Sequence, residues 1–430
     1  MLIEFTVGNF LSIKDRQTLR LDASSISEHR EQLIDAGRYQ LLRSAVIYGA
    51  NASGKSNVLN ALGTMRQIVT QSAERSSTAA IEVEPFLLST ETEDEPSYFE
   101  ILFLLNGFRY RYGFEVDRQA VRAEWLFESK KRQEKSLFVR ENDAIDVTKD
   151  FKEGKDLEER TRNNALFLAV CDQFNGIISK QILSWFGKLN SISGSSHEKL
   201  RSLTIKHLGE SKKADLLIFI NEIIGIDEIG IGNETSPVES STRLTYDFKQ
   251  LSPIGSKNSD LTVIETYHPK YDAEKKLVNE VVTFDMDKNE SSGTNKLFDL
   301  SGPIFDTLQN GGLLIVDELD AKLHPLMTQS IIRLFNQPEL NPNNAQLIFA
   351  THDTNLLTGK LFRRDQIYFT EKDQYGATCL YSLVEYQEED GTKVRKDRSF
   401  EEDYIQGRYG AIPYIGDLSK IVPAWLEKQK

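Results

Sequence analysis

Apolar and polar positions change rhythm along this chain, and each change predicts an element. Near the start, Ile3, Phe5 and Val7 alternate with Glu4 and Thr6, and Leu19 and Leu21 alternate with Arg20 and Asp22, as half-buried strands do. Ser44-Ala45-Val46-Ile47-Tyr48 is instead a continuous apolar run suited to a buried strand, and Asn57 to Val69 repeats its apolar residues at helical spacing. The polar stretch Ser72 to Ala80 reads as a loop. Period-two runs then return over Phe99 to Leu105, Phe108 to Val116, Val121 to Glu128 and Leu137 to Val139, with the hairpin dipeptide Asn106-Gly107 between the first two. They predict an antiparallel sheet beside the first helix, and the acidic Glu91 to Pro96 reads as an exposed loop. Helical spacing over Ala165 to Phe186 and Lys213 to Ile224, with Ser191 to Ser196 between them, predicts a mainly helical insertion over roughly 155–235. Short strands are expected at Arg243 to Phe248, Leu261 to Tyr267 and Val278 to Phe284. No heptad repeat lasts long enough for an extended coiled coil.

Composition narrows the class. With 430 residues, 39% hydrophobic and 27% charged, the chain fits a soluble globular protein with a large core domain and an insertion, or two modest domains. No apolar run approaches the ~20 residues of a membrane helix, and the acid in Met1-Leu2-Ile3-Glu4-Phe5 argues against an export signal. Cys171 and Cys379 lie far apart without metal-ligand neighbours, so the expected home is the reducing cytoplasm. A net charge of -13 argues against nucleic-acid binding over the whole surface. It leaves room for a local basic groove at Lys130-Lys131-Arg132, Arg160 with Arg162, or Lys393 to Arg398, each read first as a solvated face.

Gly49-Ala50-Asn51-Ala52-Ser53-Gly54-Lys55-Ser56 lies between the apolar strand and the first helix, the context a phosphate-binding loop requires. Its glycines let successive N–H groups turn inward, and the helix N-terminus adds partial positive charge. Lys55 is expected on the β- and γ-phosphates and Ser56 on Mg²⁺. Gly312-Leu313-Leu314-Ile315-Val316-Asp317-Glu318 is an apolar strand ending in two acids, where an open α/β sheet binds its ligands. Asp317 is the expected metal residue and Glu318 the base that polarises an attacking water; the plainer reading is an N-cap pair. Leu347-Ile348-Phe349-Ala350-Thr351-His352-Asp353 repeats the grammar, making His352 a candidate donor to the γ-phosphate. Glu290-Ser291-Ser292-Gly293-Thr294 opens the helical segment Asn295 to Leu308, a second anion-type turn, which one chain cannot easily wrap around the same nucleotide as the first.

In this order the segments resemble the ABC-type ATPase class that includes RecF, SMC heads and the OLD proteins. The matching parts are an Asn9-Phe10 strand, Walker A (Gly49 to Ser56), signature (Ser291-Ser292-Gly293), Walker B (Leu313 to Glu318), D-loop (Leu319-Asp320) and H-loop (His352). Glu290 to Thr294, Asp317 to Asp320 with Leu323-His324-Pro325, and Gly407-Arg408-Tyr409-Gly410-Ala411-Ile412-Pro413 look like the stand-alone bacterial AAA-15/AAA-21 ATPases. RloA, the AbiL ATPase, AriA of PARIS and PtuA of Septu are of that kind. The signature departs from the Leu-Ser-Gly-Gly of transporters, so which serine meets phosphate stays open, and no Q-loop glutamine is assigned.

The resemblance implies an α/β ABC-type P-loop ATPase head with an antiparallel β subdomain and a mainly helical insertion. The expected division is 1–154, 155–235 and 236–430. It implies ATP and Mg²⁺ as cofactors, with Gly49, Asn51, Ala52, Ser53, Gly54, Lys55, Ser56, Asn57 and Asp320 around the nucleotide. Ser291, Ser292 and Gly293 would come from a second copy in an ATP-sandwiched homodimer or higher homo-oligomer. Only 78 residues follow His352, too few for an appended Toprim nuclease, and Glu401-Glu402-Asp403 reads as an exposed acidic turn. The expected function is an ATPase sensor or scaffold of anti-phage defence, triggered by phage material and holding a separate Toprim- or HNH-type nuclease. The alternatives are a RecF-like ATPase gripping DNA and a catalytically silent nucleotide-binding scaffold.

Overall fold

The fold is given by a computed structural model that describes residues 1–131, 133–192, 197–209, 213–226, 228–233, 262–388 and 391–413. The strand expected at Arg243 to Phe248 and the basic residue Arg132 lie outside them. The chain divides into two units. The first comprises Met1–Ser195, Asp306–Ala321 and Thr328–Lys430, and the second Ser196–Phe305 with Lys322–Met327.

In the first unit, seven antiparallel strands follow the spatial order Ala144–Val147, Lys135–Glu141, Val121–Ser129, Phe108–Val116, Ser97–Leu105, Leu2–Gly8 and Gln17–Arg20. Asn106 and Gly107 both take positive φ, 52° and 78°, as a two-residue hairpin with the strands' own twist demands. A second sheet runs Leu189–Ile192, Leu313–Val316, Gln346–Ala350, Ser44–Gly49, Ile367–Lys372 and Thr378–Ser382. Its first five strands are parallel and the last is antiparallel. Every residue of Ser44–Gly49 and Leu313–Val316 that faces the interior or a neighbour is buried, which explains their unbroken apolar sequence.

The helix Lys55–Gln71 shares one core with both sheets: Val58, Leu62, Met65 and Ile68 join Phe99, Phe103, Phe114, Ile315 and Ile348. Helices Phe167–Gln173 and Ile177–Gly187 contribute Phe167, Leu168, Ile182 and Phe186 to the same core. That burial ties them to the first unit, whose first segment runs through them to Ser195.

In the second unit, helices His197–Leu208, Lys213–Ile224 and the start of Ser292–Asn310 pack with an antiparallel sheet of Glu228–Asn233, Thr262–Tyr271 and Leu277–Asp285. Leu208, Leu216, Ile220, Ile264, Met286 and Phe298 form its core. Arg201 ties it together through Asp299 (2.8 Å), itself 2% exposed, with Asn295 (2.7 Å) and Asp287 as further partners.

Candidate functional site

Parallel pairing decides where the motifs meet. Ser44–Gly49 lies between Gln346–Ala350 (Ile47 opposite Ala350) and Ile367–Lys372 (Gly49 opposite Thr370), while Val316 lies opposite Phe349. The phosphate-loop residues, Asp317-Glu318 and Thr351-His352 therefore leave the sheet side by side at its carboxyl edge, where such sheets hold ligands.

The loop is shaped by positions few residues tolerate. Gly49 and Gly54 have φ of 156° and 106°, and Ala52 has 62°. A Cβ on Gly54 would stand 2.1 Å from Oγ1 of Thr378, and one on Gly49 would stand 2.5 Å from the carbonyl of Thr370. Those neighbours are fixed in turn. Ser53 Oγ and Thr370 Oγ1 are 2.7 Å apart, and Thr378 Oγ1 donates to the Ser53 carbonyl at 3.0 Å and lies 2.8 Å from Ser12 Oγ. Lys55 is buried and its ammonium donates to the carbonyls of Gly49 (2.8 Å) and Ala50 (2.9 Å), while Asn51, Ala52 and Ser56 are exposed. Asn57 donates to Ser12 Oγ at 2.6 Å and so braces the helix against the N-terminal turn. Asn9 (φ 47°) is a second brace: its amide nitrogen donates to the carbonyls of Thr92 and Glu95, and its oxygen accepts from Phe86 N.

Charge gathers at the same edge. Burial lowers the pKa of Lys55, opposed by the negative charges of Asp317, Glu318 and Asp320. Partial burial, then the charge of Lys55, lowers that of His352, against the pull of Asp320, Glu318 and Asp317. These five groups thus act on one another across a single site. One carboxylate oxygen of Asp317 and one of Asp320 are buried without a hydrogen-bond partner, a costly arrangement that a cation or a donor would relieve. Glu318 is exposed at φ 52°, a conformation rare outside glycine and frequent where function demands it.

The signature residues lie in the second unit. Ser291 Oγ accepts from Thr294 N at 3.1 Å and so caps Ser292–Asn310, and both Ser291 and Ser292 are exposed. A Cβ on Gly293 would stand 2.9 Å from the carbonyl of Lys322, so only glycine fits.

A family profile matches residues 44–358, with the description "AAA domain, putative AbiEii toxin, Type IV TA system". The chain belongs to this AAA domain family. No curated protein matches it. Among solved structures it is similar to an SMC head bound to the C-winged helix domain of ScpA, with 13% identity, 89% of this chain and 97% of that chain covered, and a TM-score of 0.44. It is also similar to the SMC head domain from Thermotoga maritima, with 12% identity, 89% and 98% covered, and a TM-score of 0.41.

For an AAA domain the donor set fits a nucleotide with its metal: a hydroxyl at the first helical turn, an orphaned carboxylate oxygen and a lysine over a Gly-rich loop. Sequence reasoning missed Ser12, Thr370 and Thr378, the hydroxyl residues that hold this AAA domain's loop in shape. They sit hundreds of positions apart or in ordinary strand contexts, and only pairing brings them together. Glu401 to Asp403 differs from the expected exposed turn in part, since Glu402 is exposed but the run is helical and Asp403 is buried. The run belongs to helix Phe400–Ile405, and Asp403 is 7% exposed, paired with Arg398 (2.7 Å) and accepting from Tyr409 (2.9 Å). Among the described residues, no helix is long and apolar enough to cross a membrane.

Proposed function

We propose that the chain is an ATP-hydrolysing sensor or scaffold subunit of a bacterial anti-phage system, controlling a separate effector, a nuclease of Toprim or HNH type. The observation that carries the ATPase reading is the convergence of Lys55, Asp317, Glu318, Asp320 and His352 at one sheet edge, with oxygens of two of the acids left unpartnered. In this reading the loop N–H groups and Lys55 cradle the phosphates. Ser56 and Asp317 hold Mg²⁺, which when bound offsets phosphate charge. Glu318 takes the proton of the attacking water, and His352 donates to the γ-phosphate. Ser292 and Gly293 of a second copy complete the pocket, so ATP stabilises a closed dimer by contacts the open state lacks. The family description, "putative AbiEii toxin, Type IV TA system", supports a place in a system of more than one component.

The test is phosphate release and nuclease assay on the purified chain, with and without the product of the adjacent reading frame. ATP turnover that Glu318→Gln abolishes supports the reading, and nuclease activity that appears only with the second protein supports the separate effector. Robust DNA or RNA cleavage by this chain alone, surviving Glu318→Ala, overturns it.

A RecF-like DNA-binding ATPase is the second reading. It is favoured by an open groove of about 440 Å³ lined by Arg364, Lys393, Val394, Arg395, Lys396 and Asp397 on an otherwise acidic chain. Salt-sensitive, ATP-dependent DNA binding by this chain alone would select it.

A further inference from the structure

We propose that His268, together with Thr266, is a positioning residue for the turn Ser291-Ser292-Gly293, acting through Glu290. The inference rests on the reading that this turn meets a triphosphate held by another copy of the chain.

Residues two apart on a strand share a face, so Thr262–Tyr271 presents Thr266 and His268 together. Both reach one atom. Oε1 of Glu290 lies 2.7 Å from Thr266 Oγ1 and 2.7 Å from His268 Nε2. An ionised carboxylate only accepts hydrogen bonds, so the hydroxyl and the ring nitrogen must both donate, which places the imidazole proton on Nε2. The ring is held in that orientation by Phe284, with centroids 4.7 Å apart. Thr266 is fully buried.

Glu290 is the residue immediately before the helix cap Ser291, so its tether fixes the backbone one step from the turn. It does a second thing. The N-terminus of a helix attracts anions, and a loose Glu290 could fold over its own helix start and compete there with a phosphate. Bonded to Thr266 and His268, the carboxylate is kept on the strand side. Across the turn, the Lys322 carbonyl stands where a Cβ of Gly293 would be 2.9 Å away, so the turn is confined on both sides.

The experiment uses the full chain with Mg-ATP and a fluorescent ATP analogue. His268→Ala is expected to keep analogue binding by its own phosphate loop within about twofold, because that loop belongs to the other unit. Its turnover should fall about tenfold, the value of a lost charge-assisted bond. His268→Gln, whose amide nitrogen reaches to a similar distance, should recover most of that loss. Mixing His268→Ala with Lys55→Ala should raise turnover severalfold above either alone, since the hybrid pairs an intact loop with an intact turn. Unchanged turnover in His268→Ala, or loss of analogue binding along with turnover, overturns the inference. So does failure of that mixture while Ser292→Ala mixed with Lys55→Ala recovers. If neither mixture recovers, the two-copy reading itself fails, and the inference with it.

Discussion

Two turns in this protein have the makings of an anion site, and they are held in opposite ways. The loop Gly49 to Ser56 takes its shape first from backbone, with the hydroxyls of Thr370 and Thr378 bracing it: it grows from a strand paired on both sides, its glycines occupy conformations closed to other residues, and Lys55 is buried within it. The turn Ser291 to Gly293 has an exposed start and is held by side chains: the Ser291 cap, the Glu290 tether and, further along the helix, Asn295 and Asp299 clasped by Arg201. A site that must grip a ligand by itself benefits from rigidity that no single side chain can undo. A site offered outward to a partner's ligand must keep its surface clear, so its support comes from behind.

The comparison can be broken at either turn. The largest effect is expected at the grip: Glu318→Gln should slow phosphate release by about 10²- to 10⁴-fold while nucleotide binding survives, and size-exclusion chromatography with ATP should show a trapped dimer. Gly54→Ala should remove nucleotide binding and lower stability by about 3 kcal/mol, measured by urea unfolding. It adds both a strained φ and a contact with Thr378, which its bonds to Ser12 and Ser53 keep from turning away. On the other side, Arg201→Ala removes its ion pair with buried Asp299 and should cost about 3 kcal/mol, read as early unfolding of the second unit while analogue binding persists. Ser291→Ala removes a helix cap and should cost about 1 kcal/mol.

The smallest expected effect is a pH dependence. Because burial and Lys55 lower the pKa of His352, the unfolded chain takes up this proton first as pH falls below about 6.5. Whatever stability the neutral ring contributes is present above that pH and is lost on acidification. His352→Gln should flatten that part of the urea-midpoint profile between pH 7.5 and 5.5.

Much of the grip could be read in advance from residues close in sequence. Gly49 to Ser56 follows its strand and opens its helix, and the Asn106-Gly107 hairpin is a local event. What could not be read were contacts made by pairing. Nothing near Thr370 or Thr378 marks them as supports of a loop more than 300 positions away, and nothing near His268 marks it as the partner of Glu290. The acidic run at Glu401 misled for a related reason. Charge predicts exposure only where no opposite charge folds back, and here Arg398 does.

The strand that carries the phosphate loop has both of its neighbours, Gln346–Ala350 and Ile367–Lys372, far downstream in the chain. During synthesis, about 300 residues must leave the ribosome before this apolar segment finds either flank, a delay of tens of seconds at ordinary elongation rates. Until then it is a sticky, unpaired ribbon. The nascent polypeptide would depend on chaperones through that interval, and it could charge with nucleotide only after Ile367–Lys372 had been made.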